Sequence, residues 1–382
     1  MRVGLYIHVP FCLRKCHYCD FYSLPAGPAP EHAYAFVAAV EREMASAAAR
    51  HAALGPLSAA TLFLGGGTPS LLTPAQLGRL LAAARTHFLL APDAEITIEA
   101  NPGTLDAEKA RAVRDLGVNR VSVGVQSFDD PLLRRLGRAH AAARGIEAIG
   151  HLRAAGLENI SLDLMFALPG QSLASWRETL RRAIALAPEH VSAYGLTVEP
   201  GTPFADWERQ GRLSRPDEEL EAAMLEEGIA ILTAAGYEHY EISNFARPGR
   251  QCAHNRTYWR NEPYLGFGPS AASYSGGARS VNVRSLSRYL AAIAAGESPV
   301  ETVEAATREL EMGETMMVGL RLLEGVTQAR FRERFGVPLQ EAYADPIRRL
   351  TAAGLVTCDE HRLALTRRGL LLASNVMAEF LR

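Results

Sequence analysis

Short apolar runs separated by longer amphipathic stretches fill the first 200 residues. The runs at 4–9, 61–64, 95–100, 120–125, 159–165 and 190–197 are rich in Val, Ile and Leu, with the length and branching of buried strands. Near 31–50, 74–88, 106–116, 140–155 and 172–187, apolar positions return every three or four residues, the period of a helix lying on a core. Start signals agree with this: Thr73-Pro74 places proline in a first helical turn, and Asp106 can cap 107–116. Alternating strands and helices predict a parallel sheet with right-handed crossovers. Six such units predict an α/β partial (β/α)6 barrel, short of the eight-stranded closed form.

Beyond residue 200 the pattern loosens. A helix is predicted at 217–235, followed by an irregular stretch from about 237 to 283. Helical runs at 308–323, 327–335 and 339–353 then precede two short strand-like pieces near 354–356 and 363–366, and a last helix runs to 382. Helices followed by a two-stranded wing predict a winged-helix-like C-terminal domain. The expected division is a barrel at 1–235, a linking segment at 236–300 and the helical domain at 301–382.

Charge narrows what that last domain can do. The chain has 40 basic and 42 acidic residues and a pI near 6.6. It lacks the basic excess of a nucleic-acid binder, so no nucleic acid is expected and the domain is read as a packing or lid element. No apolar run reaches the roughly 18 residues that span a bilayer. A cleaved leader would carry away the cysteines that begin at residue 12, and free thiols suit a reducing compartment, so a cytoplasmic location is expected.

Candidate chemistry gathers where ligands collect in such folds, at the carboxyl ends of the strands. After the first strand come Cys12, Cys16 and Cys19, spaced C-x3-C-x2-C. Thiolates are the usual ligands of iron–sulfur clusters. Three of them leave one iron of a four-iron cube open to a small molecule. A structural zinc site prefers four ligands; only Cys252 and Cys358 remain, unpaired, and His17 lies between two of the candidate ligands. Gly65-Gly66-Gly67-Thr68 follows the second strand and allows close backbone approach to a ligand. Glu99, Gln126, Arg138 and Asp163 lie at or just after later strand ends, where buried carboxylates need partners.

The cysteine motif, with aromatic Tyr18 before its last cysteine, is similar to that of the radical S-adenosylmethionine (SAM) superfamily. The resemblance implies a [4Fe-4S] cluster on Cys12, Cys16 and Cys19. It also implies SAM chelating the open iron, and one-electron cleavage of SAM to methionine and a 5′-deoxyadenosyl radical. The segments Ile98-Glu99-Ala100-Asn101-Pro102-Gly103, Gly124-Val125-Gln126-Ser127-Phe128-Asp129, Asp163-Leu164-Met165 and Leu168-Pro169-Gly170-Gln171 resemble one branch of it. That branch comprises the oxygen-independent coproporphyrinogen III oxidases and their haem-chaperone relatives, and the likeness spans nearly the whole chain. It implies a SAM site built from Tyr6, Tyr18, Gly66, Gly67, Thr68, Glu99, Gln126, Arg138 and Asp163.

Two features separate the members of the branch. The oxidases carry a fourth cysteine two residues after the third, where this chain has Phe21, and an extension before the first strand, where this chain has about three residues. The segment His254-Asn255-Arg256-Thr257-Tyr258-Trp259 resembles the H-N-x-x-Y-W of the chaperones, in which the histidine is implicated in haem binding. Tyr258 and Trp259 would offer flat apolar surface to a porphyrin, and Cys252 is a weaker candidate ligand. Gly266–Ala271 is expected near SAM at the barrel mouth, His239 and Tyr240 are read as structural, and Cys358 as a small buried residue. The leading expectation is haem binding and delivery to haem-requiring acceptor proteins, with room for a homodimer and for peripheral docking on a membrane-bound acceptor. A second is oxidative decarboxylation of coproporphyrinogen III to protoporphyrinogen IX, and a third is radical-SAM chemistry on some other substrate, such as an RNA or a peptide.

Overall fold

Six parallel strands order the first half of the chain in the computed structural model, which describes residues 2–25, 30–51 and 57–381. The order is β1 (Arg2–Val9), α1 (Pro30–His51), β2 (Ser58–Gly66), α2 (Pro74–His87), β3 (Leu89–Ala100), α3 (Ala107–Asp115), β4 (Arg120–Gln126), α4 (Asp130–Arg135), α5 (Ala142–Ala154), β5 (Ile160–Phe166), α6 (Leu173–Ala185) and β6 (His190–Gly195). The strands lie side by side in chain order, all parallel. β4 shows why. Val121, Val123 and Val125 are fully buried in the core. The alternate residues Arg120, Ser122, Gly124 and Gln126 line the lumen cavity, as the two-residue period of a strand requires. Helix starts are fixed locally: Thr73 and Gln76 close a capping box on α2, and Asp106 accepts from Lys109 N on α3.

The stretch expected to be irregular instead completes the sheet. After α7 (Pro203–Arg209) and α8 (Glu218–Ala234) come β7 (Glu238–Glu241), β8 (Asn244–Ala246), α9 (Ala253–Trp259), β9 (Tyr264–Phe267), β10 (Ala272–Ser275), β11 (Ala278–Asn282), α10 (Leu286–Ala294) and β12 (Val300–Ala305). β9 pairs in parallel with β1, and β10, β11 and β12 continue outward antiparallel. On the other flank β8 runs antiparallel to β6 and pairs with β7. Among the described residues the result is one sheet of twelve strands. These flanking strands are too short for a period to register in sequence. β8 and β9 are buried by tertiary packing, with Phe245 and Phe267 in the same hydrophobic cluster as β1 to β6, whereas the outermost strand β12 is exposed. Glu43 of α1 fastens this flank. It accepts from Gly268 N at 2.8 Å, Asn282 Nδ2 at 2.7 Å and Tyr289 Oη at 2.6 Å, and burial pushes its carboxyl up to about 7.

The C-terminal part has its own core. It runs α11 (Arg308–Gly319), β13 (Val326–Thr327), α12 (Gln328–Phe335), α13 (Leu339–Ala342), α14 (Ala344–Ala352), β14 (Val356–Cys358), β15 (Arg362–Leu365), α15 (Arg367–Leu371) and α16 (Ala373–Ala378). β13, β15 and β14 form a small antiparallel sheet beside the helices, the expected winged-helix-like layout with a third strand of only two residues. Met316, Phe331, Leu339, Leu363 and Phe380 anchor the cluster. Cys358 is half-buried rather than buried. Backbone bonds from Ile242 N to Arg321 O and from Leu323 N to Tyr240 O dock this part on β7. Among the described residues no helix is long and apolar enough to cross a membrane.

Candidate functional site

The cysteine loop leaves the carboxyl end of β1. Phe11 is buried, and the bonds Cys12 N to Leu24 O and Leu24 N to Pro10 O close the loop on itself. The glycine segment after β2 seats it. Gly67 N donates to Val9 O at 2.8 Å and Thr68 N to Phe11 O at 2.7 Å, while Thr68 Oγ1 lies 3.5 Å from Cys12 Sγ. A Cβ on Gly67 would sit 2.6 Å from Phe11 O. Gly66, at φ 103°, holds a conformation that L side chains rarely adopt, and a Cβ there would strike the His8 ring at 2.6 Å. The N–H groups of Gly66, Gly67 and Thr68 are committed, so the loop offers a ligand carbonyl oxygen. His17 turns away: its Nδ1 meets Arg135 O at 2.9 Å and its ring stands edge-on to Trp207.

A lumen cavity of about 440 Å³ opens at these strand ends. Its lining includes Cys12, Cys16, Cys19, Tyr18, Gly66, Gly67, Thr68, Glu99, Gln126, Arg138 and Asp163. Tyr6 stands apart from that lining; its ring stacks on Phe63, which does face the cavity. Asp163 accepts from Ser122 Oγ at 2.9 and 3.1 Å, and burial raises its carboxyl above the usual range. Glu99 accepts from Gly66 N at 3.0 Å. Burial, and then the neighbouring Asp163, push its carboxyl up to about 8. Gln126 is left-handed at φ 66°. Gly124, with no Cβ, leaves room for Gln126 Nε2 and Arg138 Nη2, which would lie 3.1 and 3.2 Å from one. Arg138 donates to Gly124 O at 2.6 Å and points Nη1 at Cys16 Sγ, 3.5 Å away. Its buried Nε has no acceptor.

Sequence reasoning missed Arg120. It is 2% exposed, faces the same cavity, and also has a buried Nε without an acceptor. The signal was present: in Arg120-Val121-Ser122-Val123-Gly124-Val125-Gln126 every non-valine position faces inward. Phe63, Ser122, Ser192 and Asn255 complete the wall.

These residues fit an iron–sulfur cluster with a polar ligand beside it. Three cysteines border one cavity, a Cβ-free glycine loop lies next to them, and two arginine nitrogens await acceptors. Burial raises the Cys12 thiol and pushes the Cys19 thiol up to about 11, so thiolate formation would be coupled to binding iron. A cube takes one cysteine per iron. Among the described residues no three His, Cys, Asp or Glu side chains gather around a single ion.

His254 lies at the other end of the lumen. α9 packs across the early half of β1 and β2, where Gly4 leaves room for it. Glu95 of β3 caps the helix, accepting from Ala253 N at 2.9 Å and His254 N at 3.1 Å. The His254 ring is 1% exposed and stacked on Phe63 and Tyr6. Thr61 Oγ1 lies 2.8 Å from its Nδ1 and Tyr258 Oη 2.8 Å from its Nε2. Burial, reinforced by Arg120, holds it neutral, with its pKa down near 3. Neither nitrogen is free in this arrangement, so it does not present the haem ligand that the resemblance assigns to His254. Cys252 is fully buried with its thiol toward Glu95 and pushed up to about 12. Residues 266–271 do not line the cavity; Gly268 N is bound to Glu43 instead.

A six-stranded parallel barrel, with three cysteines after its first strand and buried carboxylates and guanidinium groups in the lumen beside them, defines a radical SAM protein. The chain matches the Radical SAM superfamily over residues 6–183 and the HemN C-terminal domain over residues 306–372. It is 40% identical over 379 residues to the Heme chaperone HemW of Bacillus subtilis, covering 98% of each chain. It is 43% identical over 272 residues to that of Escherichia coli, covering 70% of this chain and 69% of the relative. Coproporphyrinogen III oxidase (HemN) from Escherichia coli has a similar structure: TM-score 0.84, 26% identity, covering 100% of this chain and 90% of that one. The chain belongs to the HemW family of the radical SAM superfamily. That superfamily implies a [4Fe-4S] cluster and SAM as cofactors.

Proposed function

We propose that this protein is a haem chaperone that binds haem and passes it to haem-requiring acceptor proteins. In this reading Cys12, Cys16 and Cys19 hold the cluster. Tyr18, Gly66, Gly67, Thr68, Glu99, Gln126, Arg138 and Asp163 receive SAM, and Tyr6 acts through Phe63. The observation that carries the reading is end-to-end identity with relatives named heme chaperones, together with an intact H-N-x-x-Y-W segment at 254–259. Phe21, 63% exposed at the cavity rim, stands where the oxidases of the branch carry a fourth cysteine, which argues against the decarboxylase. His254 enters as a ligand only if its ring leaves Thr61 and Tyr258. The chaperone would act in the cytoplasm, as a monomer or homodimer, and dock peripherally where its acceptor is membrane-bound.

The test is transfer. Anaerobically reconstituted protein, loaded with haem, is mixed with a haem-free acceptor and the acceptor's absorbance is followed. Uptake faster than from haem on serum albumin supports delivery, and uptake no faster counts against it. A parallel incubation with SAM, reductant and coproporphyrinogen III should give no sustained protoporphyrinogen IX. Many turnovers would make the oxidase the better reading.

A further inference from the structure

If haem binds this protein as it is folded here, it needs a seat other than the occupied His254 ring. Ten buried side-chain nitrogen and oxygen atoms among the described residues lack a hydrogen-bond partner. Three, on Ser23, Arg120 and Arg138, belong to residues that line the lumen cavity. Three others sit together at a second place: Trp259 Nε1, Arg260 Nε and Arg321 Nε. The Arg321 guanidinium stacks over the Trp259 ring at 4.3 Å. Beside them a groove of about 520 Å³ runs between the end of α9 and the C-terminal domain. Trp259, Leu322, Val326 and Phe331 give it an apolar base; Arg260, Arg330 and Arg334 stand on its walls with Glu324 and Glu333, and Arg334 is already paired with Glu311.

Buried donors without acceptors are costly unless something supplies the acceptor. Arg260 and Arg330 each make a half-exposed ion pair, to Glu324 at 3.2 Å and Glu262 at 2.9 Å. Such pairs are weak and exchangeable. A flat apolar body would lie on the indole, and carboxylates would displace those pairs and meet the guanidinium forks. Among the described residues no His, Cys, Met or Tyr lines the groove, so none of the usual side-chain ligands of haem iron stands there.

We propose that the groove between Trp259 and α12 seats a porphyrin dicarboxylate by its face and its carboxylates, independently of its iron. This rests on the haem-chaperone reading and names the site for it.

Haem and metal-free protoporphyrin IX would be titrated into the full-length protein, following absorbance and porphyrin fluorescence. The two should bind within about threefold of each other, because iron contributes no bond. Esterifying both carboxylates should weaken binding about tenfold or more, the scale of losing charge-assisted hydrogen bonds, and this needs no variant. Arg260→Gln with Arg330→Gln should weaken the free acids similarly and leave the ester unchanged. His254→Gln should shift haem affinity less than about twofold. Haem that binds only with its iron, is lost in His254→Gln and ignores both arginine changes would overturn the groove and return the ligand to α9, leaving the chaperone reading standing. Failure of the parent protein to bind either porphyrin would remove that reading as well.

Discussion

At Gly67 the chain passes so close to the Phe11 carbonyl that a methyl group has no room. Gly67→Ala must therefore push the cysteine loop off its seat. Iron content after reconstitution should fall by roughly half or more while the far-UV spectrum is kept, a displacement that side-chain repacking cannot absorb because the obstacle is backbone. Glu99 makes a prediction in pH. Its folded value of about 8 lies above the ordinary 4.5. The folded protein therefore keeps a proton that the unfolded chain releases. Stability from this group is full below about pH 4.5 and is lost as pH rises toward about 8. In cluster-free protein the melting temperature should drop less between about pH 5 and pH 9 for Glu99→Gln than for the parent; an identical drop would show the carboxyl ionises normally. At this scale much was legible. The cysteine spacing, the glycine run and the polar residues at strand ends could be read directly. Arg120 was hidden only because it begins a strand instead of ending one.

Elements built from strong periodicity were equally legible, and those built from context were not. The six parallel strands announce themselves by recurrent Val, Ile and Leu in short runs set between helical stretches. β7 to β11 carry three to five residues each, below the length at which alternation means anything, and exist because β1 and β6 offer them edges. α9 is the sharpest case. Its seven residues hold no apolar stripe, and what makes them helical is Glu95, on a strand more than 150 residues earlier, at their amino end. Glu95→Ala should destabilise the protein by about 1–2 kcal/mol in denaturant unfolding, the worth of a charged helix cap. An unchanged midpoint would mean that the helix is held by its packing alone.

Across the molecule, the two cores meet where Arg321 reaches Glu241. The carboxylate is fully buried, and Arg321 approaches it at 3.4 Å while also stacking on Trp259; Asn244 and Ser243 N share the same acid. Arg321→Ala strands a buried charge, for which a loss of about 3 kcal/mol or more is expected. The C-terminal domain should then unfold ahead of the barrel in calorimetry; one unsplit transition at the parent's temperature would exclude this contact as the clasp. The order of helical runs and short strands predicted a separate C-terminal domain but could not show that its docking residue lies beside the H-N-x-x-Y-W segment. That helix faces three ways at once: His254 into the base of the barrel, Asn255 into the lumen cavity and Trp259 onto the outer groove. A thermodynamic cycle follows. By whatever factor an occupant of the lumen alters affinity for an occupant of the groove, the groove's occupant alters affinity for the first by the same factor. Cargo and cofactor would thus report on each other in equal measure, and either binding curve, measured with and without the other ligand, yields the coupling.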